Sequence, residues 1–424
     1  MAAAEIELPL AFTFANRLRE RIGFFGLCGA LAAYTLTTLD GGDIAPLIIS
    51  SALLVVTACY LSFPRAPRFT LHLPVVCLLL MAGYGVAQTL WSPQKIVYDG
   101  WTRVLFWFTA AAICLLSSQL FRNRQTAARF RFFLVFFASA VCLLDLLEQA
   151  SHTNKYFWLI QSRYATVNGP FAYWNNFAQL IELSLPVTLW LALKSRAPAV
   201  PYLLLGALQI GAVLASGSRA GSVLVLAELI AVILLVYRRN RDRRFVYAAA
   251  AALLLSLLFA YAAGFQTLTH KFAQRDQLAV RRDINLSSLA MIRERPLTGW
   301  GLGAYVPVYR MFARYDDGTY VNRAHNDWLE WTAEGGIPFA ALMLIVFVWT
   351  IRPAIASIWG IGVIALGVHA LVDYPFARFG VCGWYFALVG MLAVTAAGAK
   401  GGINQFRSTF RARLRDRRSV SSAS

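Results

Sequence analysis

The sequence predicts an all-α, polytopic membrane protein of about twelve transmembrane helices, and three observations carry that prediction. Hydrophobic residues make up 58% of the 424 and charged residues only 14%, with a mean hydropathy of +0.57, a balance suited to lipid rather than water. Apolar runs long enough to cross ~30 Å of hydrocarbon as a helix recur along the chain. Between them, segments rich in Lys and Arg alternate with segments poor in both, the pattern left by positive-inside insertion.

The apolar runs fall at about 22–39, 44–62, 70–90, 102–120, 131–148, 171–193, 200–216, 220–237, 245–264, 336–351, 354–372 and 380–397. The seventh, tenth and eleventh are short or closely spaced. With a cytoplasmic N-terminus, the inside segments hold 24 basic residues and the short outside segments hold 6. Both termini are therefore expected in the cytoplasm, with residues 265–335 facing outward. The formal charge of +18 follows from this topology, and the basic tail suits anionic headgroups rather than nucleic acid. The division that results is a nine-span bundle (1–264), an outward loop (265–335), three further spans (336–398) and a basic tail (399–424).

No charged region, short apolar core and small-residue cleavage site occur in that order at the start, so the first span reads as a retained signal anchor. All six cysteines sit inside apolar runs without a CxxC or Cys/His cluster, as packing residues rather than disulfides or metal ligands. The two halves do not mirror each other, which counts against an inverted-repeat transporter.

The outward segments concentrate the groups capable of chemistry. Arg219 lies in SGSRAG, where small residues let two helix ends approach and the following helix offers its positive N-terminus, a good setting for a phosphate or carboxylate. A snorkelling interfacial arginine is the plainer alternative. Arg281 and Arg282 open an amphipathic pattern carried by Ile284, Leu289 and Ile292, and either guanidinium can grip a diphosphate bidentately or belong to a solvated face. RPLTGWGLGAY follows, with Pro296 ending the helix and Gly299, Gly301 and Gly303 permitting a tight path. No strand precedes it and no Walker-type Lys-Ser/Thr ends it, so it reads as a structural turn with an interfacial tryptophan rather than a nucleotide loop.

His325 heads HNDWLEWTAEGG, where an imidazole can take a proton from a sugar hydroxyl with Asp327 or Glu330 to orient it. RYATVNGPFAYWNN, from Arg163 to Asn176, offers polar and aromatic groups for sugar binding or an ordinary aromatic belt. HALVDYPFAR contains His369 and Asp373, spaced to hydrogen-bond to each other. Glu182 and Glu228 lie within spans, where a carboxylate is costly unless it faces protein or a cavity. No second His or Cys stands at metal spacing.

SGSRAG, an arginine before a helix leading into RPLTGWGLGAY, then AHNDWLEWTAEGGIP and HALVDYPFAR, in that order between apolar spans, resemble the O-antigen ligase and O-antigen polymerase superfamily of bacterial inner-membrane glycosyltransferases. The resemblance covers about residues 160–380 and is diffuse over the first 150. It implies a GT-C-like, all-helical enzyme with a large periplasmic loop between the ninth and tenth spans. Such an enzyme moves a glycan from undecaprenyl diphosphate to a hydroxyl on lipid A core or on a growing glycan, by inversion, with no cofactor, metal ion or nucleotide sugar. By the same resemblance Arg219 and Arg281 hold the donor diphosphate, Arg282 being the adjacent alternative, and His325 activates the acceptor. Relatives often carry an aromatic four residues after the second arginine; here that position is Asn285, which leaves Arg281 and Arg282 both open.

Overall fold

A computed structural model describes residues 10–38, 44–62, 70–91, 97–162, 167–194, 199–240, 276–314 and 320–397, with a few positions between 247 and 257. Eight helices come first: α1 (Leu10–Leu36), α2 (Ile44–Ser62), α3 (Leu73–Trp91), α4 (Val97–Leu120), α5 (Arg124–Ser151), α6 (Trp174–Lys194), α7 (Val200–Ser216) and α8 (Arg219–Asn240). Then follow α9 (Asp276–Glu294), α10 (Tyr305–Phe312), α11 (Asp327–Ser357), α12 (Ile361–His369), a 3₁₀ turn (Pro375–Ala377) and α13 (Phe379–Ala397). The all-helical expectation needs one amendment, a two-residue antiparallel hairpin pairing Lys155–Tyr156 with Ile160–Gln161.

Among the described residues, eight helices are long and apolar enough to cross a bilayer: α2 to α6, α8, α11 and α13. The four other expected spans differ for separate reasons. Arg17, Arg19, Glu20 and Arg21 interrupt the apolar surface of α1. Helix α7 has 17 residues, and 245–264 lies largely outside the described residues, as do 265–275 and the tail. The run at 354–372 is not a single helix: α11 continues through Pro353 to Ser357, the chain turns at Ile358, and α12 has only nine residues, about 14 Å of rise.

Helix α11 begins at Asp327, nine residues before the expected span, because Gly336 divides it. With φ of 74° Gly336 is left-handed and Pro338 has no N–H, so the head of α11 and its long apolar body are two helices set end to end. The break leaves backbone groups without helical partners, and the Gly-Trp-Gly turn supplies them. Trp300 N donates to Ala333 O (3.0 Å), Gly301 N to Glu334 O (2.9 Å) and Ile337 N to Pro296 O (2.8 Å). A Cβ on Gly299 or Gly336 would run into the opposing backbone, so the turn and the kink fit only as a glycine pair. The structural reading of the turn stands, but Trp300 is buried, not interfacial, and its indole donates to Met291 O.

Helix α3 packs on α4 and α11, while α6 is embraced by α7, α8 and α12. In lipid such association depends on close approach rather than on hydrophobic transfer, and small residues provide it. Gly221 brings the start of α8 against Ala178 of α6, and Gly362 brings α12 against the Glu182 backbone. A second, smaller core gathers Ile284 and Met291 of α9 with Trp300, Tyr305, Val308 and Ala333, joining the described part of the 265–335 interval to the head of α11.

Candidate active site

The starts of α6, α8 and α11, the turn after α12 and one face of α9 meet at one end of the bundle. His325 immediately precedes the N-cap of α11, Asn326, whose side chain accepts from Leu329 N (3.2 Å). His325 itself holds a left-handed backbone, φ 49°, a conformation that costs a residue with a Cβ on the order of 1 kcal/mol and recurs at functional sites. Asp327 N donates to Ala370 O (2.9 Å) and Asp373 O (3.2 Å), which ties this helix start to the turn after α12.

Across that tie stands Asp373, fully buried, with Oδ1 3.4 Å from His325 Nδ1. Burial alone would raise its carboxyl, but His325 beside it and the positive charges of His369 and Arg281 outweigh burial and hold it below the usual aspartate range. The two carboxylates expected to orient the imidazole are engaged elsewhere. Asp327 accepts from Phe376 N (2.9 Å), and Glu330 accepts from Arg323 (2.8 Å) and Ala324 N (2.9 Å). Both fix the backbone around His325, and Asp373 is the carboxylate that faces its ring.

The other oxygen of Asp373 accepts from Asn175 Nδ2, in the first turn of α6. Asn175 also donates to Tyr173 Oη (2.9 Å) and accepts from Ser218 Oγ (2.7 Å). Asn176, the expected neighbour, is buried and donates to Gln179 within its own helix, so it does not reach this set. Tyr173 lies parallel to Tyr374 at 5.6 Å, and the His325 ring stands edge-on to Tyr374 at 5.0 Å.

Arg281 completes the cluster, with Nη2 donating to Tyr173 Oη (3.0 Å) and Nη1 to Val372 O (2.7 Å). Of its five N–H donors, these contacts leave three for a ligand. Arg282, one position along α9, is exposed. Of the two arginines, Arg281 is the one in the cluster. Arg219 is the first residue of α8 and follows Ser218 directly, so its backbone sits one peptide from the Asn175 bond. Arg163 lies outside the described residues.

Behind Asp373 the expected His369–Asp373 pair is loose, at 4.0 Å, while His369 Nδ1 meets Glu182 Oε1 at 2.7 Å. That buried pair gives Glu182 the partner a carboxylate needs in lipid. Glu228 is buried with no described hydrogen bond to either oxygen.

Tyr173, Asn175 and Ser218 belong to motifs visible in the sequence, yet nothing local marks them above their neighbours. Their long-range partners are 43 to 198 residues away. Residues 204–344, which contain Arg219, Arg281, Arg282 and His325, match the O-antigen ligase family. No curated protein matches the chain.

Proposed function

We propose, from the match of residues 204–344 to the O-antigen ligase family, that this membrane protein transfers a glycan from undecaprenyl diphosphate to an acceptor hydroxyl at the periplasmic face of the bacterial inner membrane. One observation supports the reading above others: side chains from separate motifs form one connected set. It runs from Ser218, beside Arg219, through Asn175 and Tyr173 to Arg281, and from Asn175 through Asp373 to His325.

The chemistry is a single displacement. The acceptor oxygen attacks the anomeric carbon, the bond from that carbon to the diphosphate oxygen breaks, and its electron pair leaves with the diphosphate. The hydroxyl proton passes to His325 Nε2, the ring nitrogen opposite the one that faces Asp373. Asp373 stabilises the imidazolium as it forms. Arg281, already oriented by Tyr173 and Val372, and Arg219 at the α8 N-terminus neutralise charge developing on the leaving diphosphate. Two guanidiniums so placed do the work a metal ion does elsewhere, and inversion follows from one in-line step.

Ligation to lipid A core and polymerisation of repeat units share this chemistry, as does transfer to a protein hydroxyl, and the ligase reading follows the family matched. A deletion strain separates the first two: polymer left on its lipid carrier means ligase, single repeat units mean polymerase. A lipid-linked-sugar transporter would draw on the buried Glu182–His369 pair instead. The direct test uses purified protein in nanodiscs with an undecaprenyl-diphosphate-linked glycan. His325→Ala retains donor binding and loses transfer by about 10²-fold or more, as removal of a general base does. Wild-type transfer by that variant, or activity abolished by EDTA and restored by a divalent ion, refutes the mechanism.

A further inference from the structure

A cavity of about 580 Å³, within the range of small-molecule sites, lies beside this cluster, between α1, α2 and α4 on one side and α10 on the other. None of Arg219, Arg281 or His325 lines it. Its wall carries four guanidiniums, Arg103, Arg310, Arg323 and Arg378, against two carboxylates, Asp99 and Glu334. Glu330 pairs with Arg323 (2.8 Å), and Glu334 lies near enough to Arg103 to offset part of the charge. Arg103 and Arg323 lie close enough to repel each other, and Glu334, Glu330 and Asp327 lie close enough to both to offset that repulsion. Arg310 is placed over the Tyr320 ring (5.3 Å), which leaves a planar cation beside an aromatic face, a surface that suits a charged sugar.

The position of the cavity matters as much as its charge. Arg323 precedes His325 by two residues, so their Cα atoms are at most about 7 Å apart. Arg378 caps the end of the 3₁₀ turn (Pro375–Ala377) that begins two residues after Asp373. A ligand held by these arginines therefore lies next to the backbone that carries the imidazole.

We propose that this cavity is the acceptor subsite, and that it selects an acceptor oligosaccharide bearing an anionic substituent, phosphate or carboxylate, close to the hydroxyl that is glycosylated. The assignment rests on the glycosyltransferase reading above, and it adds to that reading a charge requirement on the acceptor.

The test uses the full-length protein in phosphatidylcholine nanodiscs and a fluorescent oligosaccharide bearing one phosphate monoester, compared with the same oligosaccharide after phosphatase treatment. Wild type binds the phosphorylated probe at least about tenfold tighter, the ratio one charge-assisted hydrogen bond supplies. In Arg310→Gln/Arg378→Gln the ratio falls below about threefold, with unchanged undecaprenyl diphosphate binding and melting temperature. Equal binding of both probes by wild type, or a ratio preserved in the double variant, overturns the proposal. So does displacement of the probe by phosphatidylglycerol in the nanodisc, which assigns the arginines to lipid headgroups. Loss of the probe ratio together with undecaprenyl diphosphate binding in the double variant also overturns it, by making the cavity part of the donor site. If wild type discriminates the probes yet does not bind undecaprenyl diphosphate, the cavity stands as an anionic glycan site and the donor reading falls.

Discussion

Replacing Asp373 by Asn keeps the shape of the side chain and its capacity to accept from Asn175, and removes one charge facing His325. Two unit charges 3.4 Å apart interact by about 5 kcal/mol at an effective dielectric constant of ~20. The His325 side chain is 25% exposed, and in the proposed step the proton is only part-transferred at the transition state, so about half of that, ~2.5 kcal/mol, is available to catalysis. This corresponds to a fall in kcat of roughly 50- to 100-fold. The assay is single-turnover transfer of a labelled glycan in nanodiscs, with undecaprenyl diphosphate affinity measured separately. Donor affinity within about twofold of wild type alongside the fall in rate places the effect on the transition state. A variant with wild-type kcat would mean that Asp373 does not support the imidazole and that the 3.4 Å approach has no part in the chemistry.

Further expectations follow from the same contacts. Arg281→Lys puts one nitrogen in place of the two that reach Tyr173 and Val372 O, and loses the planar fork that could also hold a diphosphate, so donor affinity should fall about tenfold or more by titration calorimetry. Arg219→Ala should weaken donor binding as well, and unchanged affinity would remove it from the diphosphate site. Gly336→Ala places a Cβ against the Leu297 carbonyl at a left-handed position, and should lower the melting temperature by several degrees, a cost of ~2 kcal/mol or more. Because the folded state depresses the Asp373 carboxyl, its contribution to stability is complete above the unfolded value near ~3.9 and is lost as pH falls through the lower folded value. An acid series of melting curves should therefore show wild type losing stability below about pH 4 more steeply than Asp373→Asn.

The sequence made the membrane fold legible because hydropathy and charge asymmetry are local, additive properties. The break at Gly336 coincides with the expected start of the tenth span, but the helical head from Asp327 and the turn at Ile358 were not legible, since a polar helix start and a left-handed residue within an apolar run leave no hydropathy signal. The choice between Arg281 and Arg282 shows what a finer reading can recover. Adjacent helical residues point about 100° apart, so only one of the pair can face the cluster. The stripe Ile284, Leu289, Ile292 does not settle which; the buried face runs through Ile284, Ser288 and Met291, with Leu289 exposed. Arg281 falls on that stripe at spacings of three, four and three, and Ser288 was the hidden member because its hydroxyl is satisfied by Ile284 O and Tyr305. Preferring Asp327 and Glu330 over Asp373 is the opposite case. Nearness in sequence favoured them, but backbone N–H groups at Phe376 and Ala324 claim both, which only tertiary contacts reveal.

The left-handed backbone of His325 bears on any attempt to harden this protein. Glycine or asparagine would rest there with less effort, so a screen that rewards heat tolerance alone would be drawn to a position where a gain in durability discards the proposed proton acceptor. Libraries built for thermal selection should therefore hold residue 325 fixed wherever the proposed glycan transfer is to be kept.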